Sequence, residues 1–93
     1  MDTRCVSLLI HGRVQCVFYR ANARSTGAKL GLRGWVRNLA DGTVEALACG
    51  DTATVEKFIA WCHRGSPAAN VSRVEITDVE CQEDLAASFD VRH

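Results

Sequence analysis

Arg20 closes the stretch HGRVQCVFYR (11–20), which follows a short apolar run and precedes a helical segment. Between a strand and a helix, a compact turn can aim several backbone N–H groups at one point. The helix N-terminus adds a partial positive charge of about half a unit. An arginine at the end of such a turn completes it with a planar fork that grips two phosphate oxygens. These parts bind a phosphoryl group without lysine, metal or nucleotide-specific residues. Arg13, in the same stretch, is read equally as an anion attractor or a solvated charge, and His11 as an edge or packed residue rather than a base.

Other chemistries lack their parts. A Walker-type loop needs a Gly-Lys-Ser/Thr ending, which is absent. A metal-transfer domain places two cysteines near its first helix, and Cys16 stands alone there. Only three residues separate Cys16 from Arg20, too few for the cradle of a tyrosine-phosphatase-type enzyme. An RNA-recognition domain carries stacking aromatics on its central strands, and CVSLLIHG and TVEALACG contain none. The formal net charge of zero argues likewise against a nucleic-acid partner. No apolar run approaches the length of a membrane span. The N-terminus lacks the features of a signal peptide, so the expected location is cytoplasmic. The five cysteines are odd in number and none pair at zinc or redox spacing. Cys62 and Cys81 are therefore expected to be small core hydrophobes.

The elements that must position the turn follow from periodicity. CVSLLIHG (5–12) reads as a central strand, and Arg20 to Leu30 as a helix with a weak apolar face on Ala21, Ala28 and Leu30, stopped by Gly31. RGWVRNL (33–39) and TVEALACG (43–50) read as strands joined at Asp41-Gly42, a strong hairpin signal. DTATVEKFIAWCHRGSP places Val55, Phe58, Ile59 and Cys62 on one helical face, capped by Asp51 or Thr52 and ended by Gly65 and Pro67. VSRVEITDVEC (71–81) alternates as a strand, and SFDVRH forms a short last one. Trp35 and Trp61 are read as core or half-buried packing. Ninety-three residues in this order give one domain, 1–93. The expected fold is α+β and ferredoxin-like, βαββαβ, an antiparallel sheet with two helices on one face and an extra C-terminal edge strand. Cys5 and Cys49 would lie opposite each other on neighbouring antiparallel strands, within bridging range, as a reduced pair by default in the cytosol.

GRVQCVFYR closely resembles the acylphosphatase signature G-x-V-Q-G-V-x-F-R. GWVRNLADGTVEALACG (34–50) resembles the family's second block, and FDVR its terminal strand. The resemblance covers about residues 4–92. It implies metal-free, cofactor-free hydrolysis of a carboxyl-phosphate anhydride to a carboxylate and inorganic phosphate. By the family pattern Arg20 holds the phosphoryl group together with the loop Gln15, Cys16, Val17, Phe18 and Tyr19, and Asn38 positions the attacking water. Its carboxamide can orient water without being a useful base. The expected partners are small acyl phosphates and phosphate, with no nucleic acid or membrane, and the chain is expected to be a monomer.

Two positions depart from the pattern. Cys16 replaces a loop glycine; if that site requires positive φ, the side chain costs about 1–2 kcal/mol. The thiol also makes Cys16 a candidate for oxidation or alkylation. A catalytically weakened phosphate-binding or interaction domain is accordingly the alternative function. Tyr19 replaces phenylalanine and adds a hydroxyl that needs a partner.

Overall fold

The computed structural model describes residues 2–81, 85 and 88–92. The element order is β1 (Thr3–Arg13), α1 (Tyr19–Lys29), β2 (Arg33–Asn38), β3 (Val44–Asp51), α2 (Thr52–Arg64), β4 (Asn70–Asp78) and β5 (Phe89–Arg92). The strands form one sheet in the order β4-β1-β3-β2-β5. Two βαβ units interlock, each leaving a gap that a strand of the other fills, which is the ferredoxin-like arrangement. β1 is central, paired antiparallel with β3 on one side and β4 on the other. The fifth strand departs from the antiparallel expectation: β5 runs parallel to β2, so the sheet is mixed.

Alternation along β1 sends Val6, Leu8 and Ile10 to the helix-covered face. There they meet Val36, Val44, Ala46 and Ala48 from neighbouring strands and Ala23, Val55, Phe58 and Cys62 from the helices. Burying each large apolar side chain contributes about 1.5–3 kcal/mol. The opposite face carries a smaller apolar cluster of Cys5, Leu47, Cys49 and Leu85, with Trp35 against it.

α2 buries Val55, Phe58 and Cys62, as its spacing requires, and Gly65 follows it with its N–H bonded to the Trp61 carbonyl. Its N-terminus differs from expectation. Neither Asp51 nor Thr52 caps it with a side chain; instead Thr52 donates its backbone N–H to the Asp2 carbonyl at 3.0 Å. That bond joins the helix start to the chain ahead of β1, so the local cap is replaced by a tertiary one.

α1 also buries a different face from the one expected. Ala21 and Ala28 are exposed, and Tyr19, Ala23 and Gly27 are buried. The reason is close approach by β5. A Cβ at Gly27 would lie 2.6 Å from the Phe89 ring. The glycine lets that ring sit against the helix backbone, and Phe89 in turn packs on Phe58 at 5.1 Å between centroids. Trp35 and Trp61 are half-buried, the latter packed between Tyr19 and Phe58. β4 stops at Asp78, short of Cys81, with the Val79 N–H still bonded to the Cys5 carbonyl one step further along the β1–β4 register. Cys81 is exposed rather than a core hydrophobe, and His93 lies outside the described residues.

Candidate active site

At the end of β1 the chain leaves the sheet through a bulge between His11 and Gly12. Gly12 has φ +123°, and a Cβ there would stand 2.2 Å from the Asn70 carbonyl oxygen, so only glycine passes so close to β4. The turn then bends sharply. Cys16 and Phe18 both sit in the left-handed region, at φ 61° and 60°. Each costs about 1–2 kcal/mol for a residue with a Cβ, so the positive φ required at position 16 is present although the glycine is not. The demand at Phe18 has no sign in the sequence.

The surroundings hold this shape. Ser66, buried, donates its hydroxyl to the Val17 carbonyl at 2.8 Å. Asn22 donates both its backbone N–H and its side-chain amide to the Phe18 carbonyl, at 3.0 and 2.8 Å. Across a trans peptide the N–H points opposite to the C=O. Anchoring these two carbonyls therefore turns the amides of Phe18 and Tyr19 the other way. Among the described residues, the amides of Cys16, Val17 and Phe18 donate to no backbone carbonyl. Alternating turn conformations that leave successive amides unpaired make a concave anion-binding nest. The start of α1 adds its dipole, with no acidic residue in the first turn to oppose it.

Gln15 does something other than line the nest. Its side-chain amide donates to the carbonyls of Leu39 and Thr43, at 2.7 and 2.9 Å. Those residues flank the β2–β3 hairpin, where Leu39 also donates its N–H to the Thr43 carbonyl. Asp41 Oδ1 accepts from the backbone N–H and hydroxyl of Thr43 at 3.0 and 2.5 Å. These bonds hold the Asp41 carboxyl below its ordinary pKa. The hairpin places Asn38 at the last position of β2, facing the turn.

A cleft of about 390 Å³ opens between the two, lined by Val14, Cys16, Phe18, Tyr19, Arg20, Ala21, Asn38 and Val91. Of the expected site residues, Arg20, Asn38, Cys16, Phe18 and Tyr19 come together there. Val17 is instead buried beneath the turn, and Arg13 and His11 stand apart; His11 pairs with Glu75 on the sheet at 2.7 Å. Tyr19 points its ring inward and donates its hydroxyl to the Cys62 carbonyl at 2.9 Å, which satisfies the extra oxygen. Burial raises the pKa of that phenol well beyond its ordinary value and pushes the Cys62 thiol up to about 12, so neither titrates near neutrality. Val14 and Val91 were not foreseen as lining residues, and neither were Ser66 and Asn22 as anchors. Ser66 is revealed only by its position near the turn in space, 49 residues from Val17, whereas Asn22 acts from the first turn of α1, four residues after Phe18.

Two features of the cleft bear directly on chemistry. Arg20 is the one charged residue among the described residues lining it. Asn38 Oδ1 is a buried acceptor with no hydrogen-bond partner among the described residues. Such an atom is expensive to leave unpaired, at about 1–3 kcal/mol.

The acylphosphatase family profile matches residues 6–91. The chain belongs to the acylphosphatase family. An acylphosphatase of Azoarcus sp. (strain BH72) is 61% identical over 71 residues, covering 76% of this chain and 72% of that one. One of Anaeromyxobacter dehalogenans is 47% identical, covering 91% and 90%. The structure of an acylphosphatase from Coxiella burnetii superposes with a TM-score of 0.91 at 34% identity, covering 98% of this chain and 94% of that one. With family membership comes the activity: the chain is an acyl phosphate hydrolase acting on small molecules.

Proposed function

We propose that the turn after β1, with Arg20, is the phosphoryl cradle of this acylphosphatase and that Asn38 orients the water that attacks phosphorus. One observation carries the reading: among the described residues, Asn38 with its unpartnered buried Oδ1 lines the same cleft as Cys16 and Phe18, whose amides have no backbone partner. The phosphoryl oxygens take the amide protons of residues 16–18 and the Arg20 guanidinium. Asn38 Oδ1 accepts a hydrogen from the water and sets its oxygen in line with the carboxyl-phosphate bond.

As the water oxygen bonds to phosphorus, the bond to the acyl oxygen breaks and its electron pair leaves on the carboxylate. A carboxylate with an ordinary pKa near ~4 leaves without an acid. The water proton goes to a phosphoryl oxygen, because among the described residues no carboxylate or imidazole lines the cleft. Charge on the equatorial oxygens is spread and met by the guanidinium and the amides, so positioning and electrostatics supply the rate. Cys16 takes no covalent part in this sequence. The same reading makes the chain a single-domain cytoplasmic monomer with inorganic phosphate as product and no nucleic-acid partner.

Hydrolysis of benzoyl phosphate with EDTA present tests the assignment. Arg20→Ala is expected to lower kcat/KM by about 10³-fold or more and to weaken competitive inhibition by phosphate. Asn38→Ala is expected to lower kcat by about 10²–10³-fold with KM near that of the wild type. Equal rates in all three proteins would falsify the roles given to these residues. A wild type that binds phosphate without turnover would select the weakened-domain alternative.

A further inference from the structure

The cysteines on the far face of the sheet form a site of their own. Cys5 on β1 lies directly opposite Cys49 on β3, with Cα atoms 4.1 Å apart. The Val79 N–H bonds to the Cys5 carbonyl, one register step past the Val6–Asp78 pair, so the chain leaving β4 still runs alongside Cys5. It thereby brings Cys81 to a Cα separation of 5.5 Å from Cys5, within the ordinary range for a disulfide. The Cys5 Sγ contacts both the Cys49 Sγ and the Cys81 Sγ, and all three sulfurs lie within 4.8 Å of one another. One sulfur carries one disulfide, so the two pairings exclude each other and a third thiol always stands beside the bond.

Burial gives the trio a direction. Cys5 and Cys49 are 3% and 5% exposed, whereas Cys81 is open to solvent. We infer that Cys81 is the port through which a small disulfide in solution oxidises the buried Cys5–Cys49 pair. The Cys81 thiolate attacks one sulfur of the small disulfide; a mixed disulfide forms on Cys81 and one small thiol leaves. The Cys5 thiolate then attacks the Cys81 sulfur, forming Cys5–Cys81 and releasing the second small thiol. Finally the Cys49 thiolate attacks the Cys5 sulfur. The Cys5–Cys49 bond forms, and the Cys81 sulfur departs with the electron pair and takes up a proton. Two electrons pass from Cys5 and Cys49 to the small disulfide, which becomes two thiols, and Cys81 ends unchanged. A small dithiol runs the same steps backwards. None of these steps involves the catalytic cleft, so the inference stands apart from the reading of that site.

The test is made on the full-length protein in a Cys16→Ser background, which removes the other exposed thiol. Reduced protein is mixed with bis(2-hydroxyethyl) disulfide, quenched with an alkylating reagent at intervals and mapped by peptide mass spectrometry. Species joined through Cys81, the mixed disulfide and Cys5–Cys81, are expected before Cys5–Cys49. Cys81→Ser is expected to slow formation of Cys5–Cys49 by tenfold or more. Should Cys81→Ser fold poorly, the order of species in the parent protein decides alone. Cys5–Cys49 appearing first, or at the same rate without Cys81, overturns the inference. So does a reduced protein that holds cadmium on the three sulfurs and resists the disulfide.

Discussion

The two helices pack on one face of one sheet, yet they are made differently. α2 carries its own packing: Val55, Phe58 and Cys62 recur at helical spacing and all are buried. α1 buries only Tyr19, Ala23 and Gly27, and the apolar mass over it comes from Phe89 of β5. α2 ends in a relaxed glycine stop, whereas α1 begins behind two residues in left-handed backbone. The difference teaches where each helix's constraint lies. α2 is selected along its length, for adhesion. α1 is selected at its first turn, where Tyr19, Arg20 and Ala21 line the cleft, and its body is held by what neighbours lay upon it.

Substitutions can break this contrast or sharpen it. Phe58→Ala should cost the most stability, about 3–5 kcal/mol, because a large buried ring leaves a cavity. Denaturant titration measures the loss, and the protein that remains folded should keep its kcat; a matching fall in kcat would erase the distinction between adhesive and functional helix. Gly27→Ala follows. The added methyl must displace the Phe89 ring, for about 1–3 kcal/mol, although alanine is the better helix former. A stabilised variant would show that α1 does not depend on β5. Cys16→Gly acts in the opposite direction. Relief of the left-handed cost outweighs the added freedom of the unfolded chain, for a net gain of about 1 kcal/mol. Turnover that is unchanged or higher in this variant keeps the thiol out of the chemistry. The smallest effect concerns the hairpin that faces α1. Asp41 has its pKa lowered by Thr43, so its contribution is complete above the ordinary carboxylate range and is lost as pH falls through the lowered value. Wild type should melt slightly above Asp41→Ala at neutral pH, and the gap should close below about pH 4. A gap independent of pH would assign the effect to the turn's backbone instead.

Much of this was legible in the residues because periodic elements announce themselves. The strands, the Asp41-Gly42 turn and the buried face of α2 follow from spacing, and Arg20 and Asn38 from two motif blocks that the cleft brings together. What stayed hidden depends on contacts distant in sequence. The buried face of α1 could not be read because Gly27 is defined by Phe89. The cap of α2 comes from Asp2, and the parallel pairing of β5 is settled by its neighbour β2. Phe18 gives no hint of its left-handed backbone, which Ser66 and Asn22 impose from either side. Gln15 belongs to the loop motif, but its work is on the hairpin.

That one carboxamide has a mechanical consequence. It grips both sides of the hairpin's mouth, 24 and 28 residues away along the chain, from within the turn after β1. The halves proposed to steer water and to grip phosphate are thus two jaws on a common pin. Displacing either one strains these two bonds, which ties the position of Asn38 to that of the turn.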